Sequence, residues 1–341
     1  MGESPIKTHI YHKLILSLII VLFTVGQSGF PSAIPVEASP IAPELSILVT
    51  PTTLDPAEGG FIHISGAYPL VVSITLDDQS LDVYHARGEY IGFFSFPFDA
   101  AAGEHYLHIQ AINPVTGQTL DEIRTIIVTD FRYPLEQVSL PAILTPLLAL
   151  DINENELTRL DTIYTRRSRL SSWNWPFILP VEGGVVTSRF GGDRIYNGGV
   201  WAAHHTGSDF RRAIGEPIIA TADGRVVAAD YFDIRGNVII IDHGFGVFSQ
   251  YAHQSKFLVG VGDLVRQGQE IGLAGGGGRS NGPHLHFEIV VNGIPVDPIA
   301  WLALNPDFVP PREFIPTVDD NDEVPPDGGT DPEPSPGPSD G

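Results

Sequence analysis

The sequence predicts a mainly β protein of two domains joined by a short helix. Three observations carry this. At 341 residues the chain is too long for one ordinary hydrophobic core. Its 36 glycines and 29 prolines interrupt the apolar runs more often than a helical bundle tolerates. The runs themselves are short and either alternate with period two or are β-branched throughout, as strands require. Charge and cysteine content narrow the function. Lys and Arg total 19 against 41 Asp and Glu, a net charge of −22. Nucleic acid is a poor partner for such a chain, because phosphate binding needs a basic surface. The absence of cysteine excludes disulfide frameworks, zinc fingers and thiol nucleophiles.

Residues 1–38 read as an export signal. Lys7 and Lys13 precede the uncharged run LILSLIIVLFTVG at 14–26, which is short for a ~30 Å membrane span and suits a signal h-region. Val36-Glu37-Ala38 resembles a small-x-small cleavage site. An uncleaved membrane anchor is the alternative. Both readings place the bulk of the chain outside the cytoplasmic membrane, secreted or in the cell envelope. No other segment is apolar enough to span.

Residues 39–131 are expected to form an antiparallel β-sandwich of immunoglobulin-like type. Residues 106–112 alternate polar and apolar, as do Val72, Ile74 and Leu76, and Asp55-Pro56, Gly59-Gly60, Asp77-Asp78 and Asn113-Pro114 supply turns. No polar cluster here looks chemical, and His63, His105 and His108 are expected at solvent-facing strand positions. Residues 132–173 are expected to be a helical linker. Leu157, Leu160 and Tyr164 recur at helical spacing, with Asn155 as a plausible N-cap before Glu156.

The chemistry lies in residues 174–304. His205 and Asp209 stand four residues apart in His205-Thr206-Gly207-Ser208-Asp209. His284 and His286 stand two apart, so on a strand both face one way. Tyr251-Ala252-His253 follows the β-type run 237–242. Each fragment alone is a weak signal. In this order, HTGSD, YAH and GPHLHFE together resemble the lysostaphin-type zinc metallopeptidases (glycyl-glycine endopeptidase-like), secreted bacterial enzymes that cut peptide bonds in peptidoglycan. Gly215-Glu216-Pro217, Ala222-Asp223-Gly224, Asp242-His243-Gly244, Gly262-Asp263, Gly268-Gln269 and Val296-Asp297-Pro298 also look like that family. The resemblance covers roughly residues 175–302.

The resemblance implies a zinc ion (Zn2+) held by His205, Asp209 and His286, with a fourth position open for water. It implies that His253 and His284 are catalytic, one assisting proton transfer and the other stabilising the oxyanion, without saying which does which. It also implies an antiparallel β domain with a long groove for peptidoglycan peptides. The runs 225–229, 238–241 and 287–291 are short, β-branched and turn-bounded, and support the β domain independently. His204 is out of register, since four residues on from it stands Ser208. His243 is expected to be structural. Arg189 and Asn197 lie in a stretch like the family's upstream loop, where Asn197 either approaches the metal or substrate or simply makes a turn. Ser208 and Gln254 depart from the family pattern, and the glycines at 275–278 lack a threonine and are expected to form a mobile loop.

Residues 305–341 are rich in Asp, Glu, Pro, Gly and Ser and are expected to be disordered. The function implied is a secreted zinc endopeptidase acting on peptidoglycan. The alternatives are a catalytically silent member that binds the wall or activates a hydrolase, and a β-rich adhesion protein with incidental histidines.

Overall fold

The computed structural model describes residues 45–66, 70–86, 89–166, 168 and 176–304. The expected export signal and acidic tail lie outside the described residues. Among the described residues nine strands come first: β1 (Ser46–Thr50), β2 (Thr53–Leu54), β3 (Gly59–Ser65), β4 (Val71–Leu76), β5 (Gln79–Leu81), β6 (Val83–Ala86), β7 (Glu89–Ser95), β8 (Gly103–Ile112) and β9 (Thr119–Val128). They make two sheets, β1-β3-β7-β6 and β2-β9-β8-β4-β5, antiparallel except for the short parallel pair β2–β9. Period-two alternation sends Leu107 and Ile109 of β8 and Ile74 and Leu76 of β4 inward to meet Ile62, Ile64 and Phe94 of the other sheet. His63 departs from expectation. It lies buried against Glu89, because β3 is covered on both faces, and His105 and His108 are half-buried beside Asp77 and Asp121.

The second covered face of β3 and β7 joins the sandwich to the C-terminal half of the chain. Phe61, Ile91 and Phe93 point away from the sandwich core into a larger one containing Phe177, Phe245, Val291 and Trp301. Ser95 Oγ donates to Val291 O (3.1 Å), Asn292 Nδ2 donates to Phe93 O (3.0 Å), and Asp297 N donates to Ala57 O (2.9 Å).

Next come β10 (Leu135–Val138), a 3₁₀ turn and helix α1 (Leu150–Tyr164). Helix α1 begins before the expected start. Its N-cap is Ala149, with no side-chain cap, so Asn155 sits inside the helix instead of at its end. Its buried face also differs from the expected stripe: Glu156, Leu160, Ile163 and Tyr164 are buried, and Leu157 is exposed. The face follows i, i+4, i+7, i+8 spacing, and its first position is a carboxylate.

The remaining strands are β11 (Val186–Ser188), β12 (Asp193–Tyr196), β13 (Val200–His204), β14 (Ser208–Arg211), β15 (Pro217–Ile219), β16 (Gly224–Phe232), β17 (Gly236–Gly244), β18 (Val247–Phe257), β19 (Leu264–Val265), β20 (Glu270–Ala274), β21 (His284–Val291) and β22 (Ile294–Val296), with helix α2 (Pro298–Ala303) last. A ten-stranded antiparallel sheet runs β11-β14-β21-β18-β17-β16-β19, with β15, β20 and β22 attached. A separate three-stranded sheet, β10-β12-β13, pairs β10 with β12 in parallel. One face of the large sheet covers the core shared with the sandwich. The other carries α1, whose Leu160, Ile163 and Tyr164 pack on Phe232, Ile240 and Phe248. Asp297 caps α2 by accepting from Ile299 N at 2.8 Å. Among the described residues no helix is long and apolar enough to cross a membrane.

Candidate metal centre

Strand alternation builds the centre. On β21, Leu285, Phe287 and Ile289 face the core, so His284, His286 and Glu288 share the opposite face. Antiparallel pairing sets Asp209 of β14 directly opposite His286, and Arg211 opposite His284. His205, four residues before Asp209, is fixed by its backbone N–H donating to Gly192 O at 2.9 Å. The structure therefore brings His205, Asp209 and His286 together. His205 Nε2 lies 3.0 Å from both Asp209 Oδ1 and His286 Nδ1, and His286 Nδ1 lies 2.9 Å from Asp209 Oδ1.

The outer nitrogens fix the tautomers. His205 Nδ1 donates to Arg189 O (2.7 Å), and His286 Nε2 donates to Glu288 Oε1 (2.8 Å). Both partners are acceptors only, so in the neutral rings the inner nitrogens carry lone pairs. Two lone pairs and a carboxylate oxygen then converge in a triangle about 3 Å on edge, a mutually repulsive arrangement that calls for a cation. Two imidazoles and one carboxylate suit zinc, which binds such donors at about 2.0–2.2 Å, better than calcium or magnesium, which prefer oxygen alone. The surroundings also demand positive charge here. Burial raises the Asp209 pKa, but the adjacent His205 and His286 overcome this and hold it well below the usual carboxylate range. Burial opposes charge on His286, yet hydrogen bonds to Asp209 and Glu288 raise its pKa. Burial lowers that of His205.

His253 and His284 reach the same cleft by different routes. His284 opens β21. His253 sits where the β17–β18 register slips, with φ of 59°, a left-handed backbone that swings its ring beside His284 at 4.7 Å between centroids. His253 Nδ1 donates to Gly277 O (2.7 Å) and His284 Nδ1 to Gly282 O (2.8 Å), leaving both Nε2 atoms as acceptors. Burial lowers both pKa values, so both rings are neutral at pH 7. The cleft beside them, about 330 Å³, is lined by Glu136, Arg194, Asp209, Arg279 and Asn281 among others.

Within the glycine run at 275–278, Gly275 and Gly278 pack tightly against backbone, whereas Gly276 and Gly277 leave room for a Cβ. A Cβ on Gly278 would lie 2.5 Å from Ile234 O, and the neighbouring Arg279 N donates to that same oxygen at 2.7 Å. Glycine is required there for close packing, and the loop's carbonyl orients His253. Asn197 does not line the cleft. With φ of 51°, it makes a turn and accepts from Leu140 N at 2.8 Å, so its amide is committed to the chain before α1. His204 pairs with Asp193 at 2.7 Å and stacks on Phe98, and it is not among the three converging donors. His243 is buried between Asp223 O and Ser249 Oγ.

Further residues complete the centre beyond the four histidines and one aspartate that the motifs single out. Arg194 Nη2 donates to Asp209 Oδ2 (2.7 Å), and its Nε donates to Glu136 Oε2 (2.8 Å) of β10. Glu288 has a legible signal, since period-two alternation places it on the face of His284 and His286. Arg235 and Glu156 have none.

Residues 203–298 match the peptidase family M23. Over 129 residues the chain is 38% identical to the peptidoglycan DD-endopeptidase ShyA of Vibrio cholerae, covering 38% of this chain and 30% of that protein. It is 42% identical over 104 residues to the DD-carboxypeptidase/endopeptidase Mpg of Neisseria meningitidis, covering 30% of this chain and 24% of that one. The chain thus spans less than a third of the length of either relative. A solved peptidase M23 structure from Pseudomonas aeruginosa shares the fold, with a TM-score of 0.55 and 24% identity over 73% of this chain and 94% of that one.

Proposed function

Residues 203–298 form a peptidase family M23 domain, and on that premise we propose that the protein is a zinc endopeptidase that hydrolyses peptide bonds in peptidoglycan outside the cytoplasmic membrane. The observation that carries the reading is the convergence of His205 Nε2, Asp209 Oδ1 and His286 Nδ1 within 3.0 Å of one another, beside a cleft holding two more neutral imidazoles. Zinc bound by these three donors would leave an open position, lower the pKa of water there toward ~7 and polarise the scissile carbonyl.

The remaining work falls to the chain. His253 and His284 each present Nε2 to the cleft as a hydrogen-bond acceptor, so either ring takes the proton released when water attacks. The ring that holds it becomes a donor at Nε2, able first to bond the developing oxyanion and then to protonate the leaving amine. Gly277 O and Gly282 O keep the rings oriented through this exchange. Arg194 holds Asp209 by its second oxygen, so that Oδ1 stays aimed at the two ligand histidines. An extended stem or cross-bridge peptide lies along the cleft lined by Arg194, Arg279 and Asn281. The names of the relatives support peptidoglycan as substrate, and that substrate supports an extracytoplasmic location.

The test is digestion of purified peptidoglycan by the zinc-loaded full chain, with new peptide termini identified by mass spectrometry. New termini that disappear with a chelator are expected. Intact peptidoglycan would overturn the reading.

A further inference from the structure

We propose that Glu156, on helix α1 and outside the M23 match, is a positioning residue for the metal centre, acting on His286 through Arg235 and Glu288. The proposal rests on the reading of His286 as a metal ligand.

The connection is continuous and buried. Glu156 Oε1 accepts from Arg235 Nη1 at 2.8 Å, and Glu156 Oε2 accepts from Ile234 N at 2.7 Å. Arg235 Nη2 and Nε donate to Glu288 Oε1 at 2.9 and 3.2 Å, and the same oxygen accepts from His286 Nε2 at 2.8 Å. Thr206, next to His205, also donates its hydroxyl to Glu288 Oε1 at 2.8 Å. Glu156, Arg235 and Glu288 are 5%, 9% and 1% exposed.

Such burial decides between a surface ion pair of little consequence and a coupled network. One oxygen, Glu288 Oε1, sets the orientation and basicity of His286, and a guanidinium shares it. Two carboxylates divide the charge of Arg235. With Glu156 in place, Glu288 is left enough negative charge to draw the Nε2 proton of His286 and enrich the lone pair at Nδ1. In Glu156→Gln the amide presents a donor to Arg235 or to Ile234 N–H, which are donors themselves. Arg235 then keeps one charged carboxylate partner, Glu288. The pull on His286 weakens and the fork that fixes Glu288 shifts, and both effects loosen the metal.

The experiment measures zinc affinity of the full chain by competition with a fluorescent chelator, alongside melting temperature. Glu156→Gln should weaken zinc about tenfold, the scale for a partner outside the ligand set. Leu160→Ala, on the same face of α1 and packed in the apolar cluster with Phe232, Ile240 and Phe248, should lower the melting temperature and leave zinc affinity within about twofold. If Glu156→Gln does not fold, Arg235→Lys keeps the charge while removing the fork, and the same loss is expected. Affinity within about twofold of wild type in the folded relay variant would overturn the proposal, as would equal losses in the relay variant and Leu160→Ala. His286→Ala serves as the separate check, because zinc retained there would refute the metal centre itself.

Discussion

Asp209 and His286 face each other across the β14–β21 pair, with His286 Nδ1 2.9 Å from Asp209 Oδ1. Each is fastened from behind by a residue of opposite or complementary chemistry: Arg194 on Asp209 Oδ2, Glu288 on His286 Nε2. Sheet register brings the two donors together, and the partners behind them aim the lone pairs.

Arg194→Met should therefore weaken zinc binding by about 10–100-fold, because Asp209 loses the donor that holds Oδ2 and is free to rotate. Equilibrium dialysis against zinc at fixed pH checks this. Affinity unchanged within twofold would show that the strand backbone alone orients Asp209.

The core shared between the sandwich and the large sheet predicts joint unfolding. Phe93 is 2% exposed, with its ring 5.8 Å from that of Trp301. Phe93→Ala should destabilise the chain by ~3–5 kcal/mol and leave a single transition. Tryptophan fluorescence and amide exchange in β8 should report the same midpoint. Two separated transitions would show that the sandwich unfolds independently.

Much of the centre is legible in the sequence for a physical reason. Period-two alternation puts His284 and His286 on one face, and HTGSD spaces an imidazole and a carboxylate by one short loop and a strand start. What stays hidden depends on long-range contact. Arg194 sits 15 residues from the carboxylate it holds, and Glu156 and Arg235 are 79 apart. His253 enters the cleft only because the register slips at a left-handed residue, which no periodicity announces. In the fold, the alternation of β8 and β4 is readable. The double-sided burial of β3 and β7 is only half readable: the near-continuous apolar runs in GGFIHIS and EYIGFFS suit strands covered on both faces, but nothing in them says what covers the second face. Helix α1 misleads through Leu157, whose apolar side chain points outward while Glu156 points in.

His243 predicts acid sensitivity outside the metal centre. Burial lowers its pKa to about 4, against the ordinary 6.5. The unfolded chain therefore binds a proton near 6.5 that the folded chain accepts only near 4. Stability contributed by the neutral ring is full above 6.5 and falls as pH drops through that window, by up to about 3 kcal/mol at ~1.4 kcal/mol per unit. His243→Gln should be less stable than wild type at pH 7 yet lose less stability between pH 6.5 and 4.5. Urea midpoints across that range decide it, and parallel curves would refute the assignment.

The division of labour among the histidines is the centre of the account. His284 and His286 share a strand face, but only His286 belongs to the donor triangle. The direct measurement is zinc content per chain beside peptide-release rate for His284→Ala and His286→Ala. His286→Ala should lose zinc and activity together. His284→Ala should keep about one zinc while turnover falls by a factor on the order of 10²–10⁴, the scale for a lost general base or oxyanion donor. A metal-free His284→Ala beside a metallated His286→Ala, or wild-type turnover in both, would contradict it.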